Sequence, residues 1–241
     1  MARHHLLAAF VGASLLTSTT VFAAQAVPAA ITAAVNDSGR PAADKELDAN
    51  RKPAETLAFA GVKPGMTVAE LAAGGGYYTR MLAKVVGPKG KVFVLINNER
   101  GAARIADVVK DNPNVSTVNV TMPNIALPEK VDMFWTTENY HDFHNGPTAN
   151  IAALDKAVFD NLKPGGVFYV EDHSANPGAG LAATSSIHRM DPVLAKTELT
   201  TAGFKVEESD LLKNPKDDRS LENDKAGRYM SDRFMYRAVK P

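Results

Sequence analysis

Two groups of residues carry chemistry by type and spacing. The first is the run Val68-Ala69-Glu70-Leu71-Ala72-Ala73-Gly74-Gly75-Gly76-Tyr77-Tyr78-Thr79. It leaves a short apolar stretch, passes through small residues and enters a segment with helical spacing. Glycines at a strand-to-helix turn permit positive φ and let a ligand approach the backbone. The helix start offers N–H groups that have no partner within the helix. The run is not a P-loop, because no Gly-Lys-Ser/Thr follows. It also departs from the dinucleotide fingerprint: Glu70 precedes the glycines, and the helix start lacks the spacing a pyrophosphate needs.

The second group holds histidines and carboxylates: His141, Asp142 and His144 after one apolar stretch, and Asp172 and His173 after the next. His188 lies further on. A histidine oriented by a carboxylate is the usual general base near neutral pH, so His141 or His144, with Asp142 or Asp172 orienting the ring, are the candidates for proton transfer. The same five residues are acceptable ligands for a divalent ion, although His-Asp-x-His is not a recognised zinc spacing. The competing structural roles are a loop-capping Asp172 and a buried, hydrogen-bonded His173.

These groups must be positioned by an alternating frame. Pro53 opens a helix that Gly61 ends. Strand patterns follow at 66–71, 91–96, 115–120, 131–136 and 167–170, with helical patterns at 77–86, 99–111 and 147–162. A helix at 192–202 then precedes two strands, 204–208 and 234–239. Alternation of this kind predicts an α/β doubly wound, Rossmann-like sheet of seven mostly parallel strands. Two final strands without a helix between them predict one antiparallel edge strand. In such a sheet ligands bind beyond the carboxyl ends of the strands, which is where the glycine run, Asn97 and the histidines fall. The polar segment 211–231 is long enough for a lid or a mobile insertion.

The chain has 241 residues, 45% hydrophobic and 22% charged, which suits one large domain. Its formal net charge is zero, which argues against a nucleic-acid partner and for a small-molecule substrate. The absence of cysteine removes disulfides, thiolate metal sites and cysteine nucleophiles. Residues 1–26 have the order of a signal peptide. Arg3, His4 and His5 precede an apolar run, and the small-residue triplets Val21-Phe22-Ala23 and Ala24-Gln25-Ala26 follow it. The expectation is export, to the periplasm, without membrane insertion after cleavage. Residues 27–47 read as a flexible leader, and 48–241 as a single domain.

The glycine run resembles the signature of the class I S-adenosylmethionine-dependent methyltransferases: an acid, an apolar residue, then Gly-x-Gly-x-Gly. Glu70 to Gly76 occupy those places, with Ala72 at the first glycine. The turn Leu162-Lys163-Pro164-Gly165-Gly166 and the triplet Ala202-Gly203-Phe204 extend the likeness from about Asp48 to Pro241. Asn139-Tyr140-His141-Asp142, Glu171-Asp172-His173, His188-Arg189-Met190-Asp191-Pro192 and Asn214-Pro215 are similar to a group of bacterial exported predicted methyltransferases. The resemblance implies the class I methyltransferase fold and S-adenosylmethionine as cofactor. It implies Glu70, Ala72, Gly74, Gly75, Gly76, Tyr78, Asn97 and Tyr140 as the residues that hold it. The acid that holds the ribose diol in that family is replaced by Asn97 or Asn98. An amide lacks the charge assistance of a carboxylate. Three functions remain open: a methyltransferase on a small molecule, a binding protein on the same scaffold, and a metal-dependent enzyme.

Overall fold

The computed structural model describes residues 26–223 and 230–241; most of the expected signal peptide lies outside them. One seven-stranded sheet runs in the order β3-β2-β1-β4-β5-β7-β6. Its strands are β1 (Thr67–Leu71), β2 (Lys91–Ile96), β3 (Val115–Asn119), β4 (Val131–Thr137), β5 (Leu162–His173), β6 (Lys205–Ser209) and β7 (Arg233–Val239). β1 to β5 pair in parallel, and β7 pairs antiparallel with both β5 and β6. The reversed strand β7 thus lies between β5 and β6, one place in from the edge. The sheet closes the doubly wound α/β fold expected from the alternation.

Period-2 alternation sends each strand's side chains to two cores. Val68, Val94, Trp135 and Tyr169 pack on one face; Ala69, Leu95, Phe134 and Phe168 pack on the other. All of β1 is buried, as a central strand covered on both faces should be. The first face is covered by α4 (Pro53–Ala60), α5 (Tyr77–Val86) and α6 (Glu99–Asp111), the second by α7 (Ile151–Asn161) and α9 (Pro192–Thr201). A 3-10 turn, His141–His144, follows β4, and the short α8 (Ala182–Ser186) precedes α9.

Two expectations are corrected. Residues 27–47 are not a flexible leader: they contain α1 (Ala29–Val35) and α2 (Ala42–Glu46), followed by α3 (Asp48–Arg51). Ile31 is fully buried in the first core, and α1 packs along α5. Ion pairs fasten the segment: Arg40 with Asp48, Asp44 with Arg80 and Asp37 with Lys84, the first at 2.6 Å with the Arg40 side chain almost wholly buried. The apolar surface that an isolated α1 would expose to water is what drives this docking.

The described part of 211–231 is not a lid either. Arg189, fully buried, holds it by ion-pairing Asp217 at 2.7 Å and donating to the Leu221 carbonyl. Asn214 is bonded to Asp232, and Leu212 is buried. A buried arginine needs a full set of acceptors, and this segment supplies them together with the Ser174 carbonyl.

Candidate functional site

The glycine run forms the β1–α5 turn at the carboxyl edge of the sheet. Ala72 and Gly74 are left-handed, at φ 53° and 58°. A Cβ on Gly74 or Gly75 would meet nothing within 4 Å, so the loop faces open space. Gly76, also implied as a cofactor residue, has a different task. A Cβ there would stand 2.8 Å from both Ile105 and Val108, so its missing side chain lets α5 start against α6.

That open space is two adjoining cavities that share Ala72, Ala73, Gly74, Arg104 and Asn139. One, about 300 Å³, lies beside β2 and is lined further by Asn97, Arg100, Met122 and Phe143. The other, about 340 Å³, is lined by Arg51, Glu70, Tyr78 and Glu138, with Asp44 and Leu47 from the N-terminal helices. Glu70 is buried and accepts from the Thr79 hydroxyl at 2.6 Å. Burial pushes its carboxyl up to about 7, against the smaller lowering effect of Thr79. Tyr78 packs against Trp135 with the rings tilted by 53° and their centres 4.9 Å apart, and its buried hydroxyl finds no partner among the described residues.

Glu138, left-handed at φ 58°, anchors a buried charge network. Arg51 pairs with it at 2.5 Å, and Arg233 reaches it at 3.2 Å and Glu171 at 2.8 Å. Burial, followed by the nearby Arg233, sets the balance at Glu171, whose carboxyl is held above its ordinary range. The Arg51 guanidinium lies 4.5 Å from the centre of the Tyr77 ring. Two arginines and two glutamates thus neutralise one another at the strand ends. Nothing local in the sequence marked Arg51 or Arg233, which come from opposite ends of the chain.

The histidines divide. His141, buried, holds both oxygens of buried Asp172 at 2.9 Å through Nδ1, and its Nε2 is 3.4 Å from the exposed Asp142 carboxylate. His173, fully buried, shares its Nδ1 with the Ser231 hydroxyl at 2.5 Å, its ring centre 6.4 Å from that of His141. His188, left-handed at φ 51°, stands with its ring centre 5.9 Å from that of His141. His144 is not brought to this group. Its Nε2 binds Glu198 of α9 at 3.0 Å, and its Nδ1 binds the Tyr140 carbonyl. Burial lowers the affinity of His144 for a proton, but the Glu198 bond and charge outweigh it and leave the ring easier to protonate than usual.

Tyr140 does not reach the cavities. It is fully buried and donates to Asp155 at 2.9 Å, because a hydroxyl taken from water must find an acceptor. Burial pushes the Asp155 carboxyl up to about 7. His141, Asp172 and His173 line neither cavity, while Asp142 lines a smaller one of about 170 Å³ that shares Asn97, Met122 and Phe143 with the first. Among the described residues no three His, Asp or Glu side chains are grouped to hold a metal ion.

No protein-family model matches the sequence, and no curated protein matches it. Solved structures do. A methyltransferase from Aquifex aeolicus, S-adenosylmethionine-dependent, superposes at TM-score 0.59 with 20% identity, over 84% of this chain and 99% of that one. A chain from the complex of the Haloferax volcanii Trm112 methyltransferase activator with its partner gives TM-score 0.59 and 20% identity, over 88% and 97%. Aeropyrum pernix fibrillarin, solved with bound S-adenosyl-L-methionine, gives 0.52 and 18%, over 80% and 76%. With its strand order, its reversed β7 and its glycine turn after β1, the chain has the class I methyltransferase fold.

Proposed function

We propose that the protein is an S-adenosylmethionine-dependent methyltransferase acting on a small molecule. The observation that carries this reading is the glycine turn opening onto two adjoining cavities with a buried carboxyl, Glu70, in the wall. The donor set fits the cofactor: Glu70 for its ammonium, Arg51 and Tyr78 for its carboxylate, Asn97 for the sugar, Met122 and Phe143 for the base. Ala72, Gly74 and Gly75 leave room for it. When bound, the cofactor supplies a methyl group on a positively charged sulfur, which needs no metal to leave.

The chain's own part is to position and to move a proton. In this reading Asp172 orients His141 through Nδ1 as the general base for an acceptor that must lose a proton, and Asp142 stands 3.4 Å from Nε2. His144 fastens the 3-10 turn to α9, which keeps His141 in place.

Titration of the mature protein with S-adenosylhomocysteine by calorimetry tests the reading. Micromolar binding without metal is expected, and His141→Asn should match the wild type, since it alters transfer rather than binding. Gly74→Val should abolish the heat: its side chain enters the cavity, while a left-handed valine costs about 1–2 kcal/mol, which the fold tolerates. Unchanged affinity in Gly74→Val removes the cofactor assignment. Binding without any transfer to small nucleophiles would favour the binding-protein reading. The Arg51–Glu138 ion pair, by saturating charge beside the loop, is the observation that speaks for that alternative.

The same reading includes export to the periplasm with loss of residues 1–26. α1 begins at Ala29, so cleavage after Ala26 leaves every described element intact. The mass of protein recovered from the periplasm should correspond to a start at Ala24 or Val27; a chain retaining Met1 inside the cell would refute export.

A further inference from the structure

Behind the 3-10 turn runs a chain of buried polar groups. His144 and Tyr140 enter it from the turn, Asp155 from α7 and Glu198 from α9. The short α8, which also packs on the turn, carries no charged residue, and Phe143 and Phe168 lie against the Tyr140 ring. The turn's other titratable groups face elsewhere: His141 pairs with Asp172 and lies beside Asp142. The contacts fix where protons must be. His144 Nδ1 faces the Tyr140 carbonyl at 3.1 Å, so it carries a hydrogen, because a carbonyl only accepts. A neutral ring then has a bare Nε2, yet Nε2 stands 3.0 Å from a Glu198 oxygen. That contact needs a second proton, on the ring or on the carboxyl. The Tyr140 hydroxyl has one hydrogen and two carboxyl groups in reach, Asp155 at 2.9 Å and Glu198 at 3.3 Å. One of these contacts must therefore take its proton from a carboxyl. Asp155 is placed to hold it: it is fully buried, and its Oδ1 has no partner among the described residues. Burying an ionised carboxylate in that way is costly, and a neutral acid far less so.

A neutral imidazole and a phenol bring one hydrogen each, so the chain closes only when two further protons are taken up from solvent. We propose that this chain is a proton-operated latch, which holds the 3-10 turn bearing His141 and Asp142 against α7 and α9 in acid and releases it in mildly alkaline solution. Both titrating groups act in the same sense. At His144 burial opposes the proton, but the Glu198 bond and charge outweigh it; at Asp155 burial pushes the carboxyl up to about 7. The support each gives the closed turn is full below its unfolded value, falls as pH rises and is gone above its folded value. The latch stands on these contacts alone; what it controls, the placing of His141 as a base, rests on the methyltransferase reading.

Hydrogen exchange of the whole protein, read by mass spectrometry over the turn, tests it. The amides of Asp142, Phe143 and Asn145 are bonded within the turn and report its opening. After correction for the intrinsic exchange rate, their protection should fall about thirtyfold from pH 5.5 to pH 8.5 through Asp155 alone, at tenfold for each pH unit below its value of about 7. Asp155→Asn/Glu198→Gln should abolish the fall. Its two amides offer permanent N–H groups to the Tyr140 oxygen and to a neutral His144 Nε2, so the chain closes without bound protons. Titrations elsewhere in the fold are common to both proteins and cancel in the comparison. A wild-type turn equally protected at both pH values overturns the latch, and so does an equal fall in the double variant. In the wild type alone, the His144 ring signal in proton NMR should titrate above the ordinary 6.5; a ring titrating below it overturns the latch whatever the variant does. Calorimetry with S-adenosylhomocysteine keeps the two claims apart. Binding with a turn indifferent to pH sinks the latch alone, and a pH-dependent turn without binding sinks the methyltransferase reading alone.

Discussion

Replacing Arg233 by Ala should destabilise the fold by about 3–5 kcal/mol, the usual cost of stripping one partner from a buried ion pair. Arg233 is almost wholly buried and meets Glu138 and Glu171, themselves hardly exposed, and its second amino group donates to the Asn50 carbonyl. Its loss would leave Arg51 alone against two carboxylates. Glu171 is already held above its ordinary range by burial, with Arg233 the main opposing influence. Without Arg233 it should take up a proton in the folded state. The defect should therefore be smaller at pH 5 than at pH 8, and Glu171→Gln in the same background should recover part of it. Urea unfolding at the two pH values measures this. A loss below about 1 kcal/mol at pH 8 would mean that water solvates the carboxylates and that the network is not buried.

Glu70→Gln should have opposite consequences for stability and for binding. The Glu70 carboxyl moves from an ordinary 4.5 to about 7 on folding. Below the lower value both states are protonated and the site costs nothing. As pH rises toward 7 the unfolded chain releases its proton while the folded one keeps it, so stability falls. Above 7 the whole penalty is present, about 3 kcal/mol at 1.36 kcal/mol for each pH unit between the two values. The neutral amide removes this term. The variant should match the wild type near pH 4.5 and melt higher at pH 8, by several degrees in a thermal scan. Ligand binding should show the complement. A cationic amino group beside Glu70 favours the carboxylate, so wild-type affinity for S-adenosylhomocysteine should rise about tenfold from pH 5.5 to 7.5 through proton release. In Glu70→Gln it should be weak and flat. Equal thermal shifts at both pH values would show that Glu70 is ionised throughout.

The frame of strands and helices was legible because its cues are local. Val92–Ile96 is an unbroken apolar run between Gly90-Lys91 and the polar Asn97-Asn98, and Asn98 caps the helix that follows. The seven strands, their mostly parallel pairing and the reversed strand near one edge all follow from such patterns and from the missing helix before β7. Residues 27–47 misled because α1 and α2 are too short, seven and five residues, to display a period. Composition rich in Ala, Pro and Asp then looks like a tail, and Ile31 alone does not announce a core position.

The site was legible in outline and not in pairing. Topology places Glu70, Gly74, Asn97 and His141 at one edge, whatever their side chains do. Which histidine finds which acid is set by packing between distant segments. His141 chose Asp172, 31 positions away, and His144 chose Glu198, 54 away. Arg51 met Glu138 across 87. No window of sequence contains both members of such a pair, and the part of the cavity wall formed by Asp44 and Leu47 stayed hidden in what looked like a tail.

β7 is last in the chain yet sits inside the sheet, between β5 and β6. Glu138 consequently waits for partners from both termini: Arg51 is made early, and Arg233 almost at the end. A chain that emerges N-terminus first, from a ribosome or through a membrane pore, has its glycine turn in hand long before it can balance the charge beside it. Until the final strand arrives, β6 has no neighbour to pair with and Glu171 lacks its ion-pair partner Arg233. Ligand binding should therefore switch on abruptly with release of the C-terminus, and nascent chains stalled before Arg233 should neither bind nor resist proteolysis.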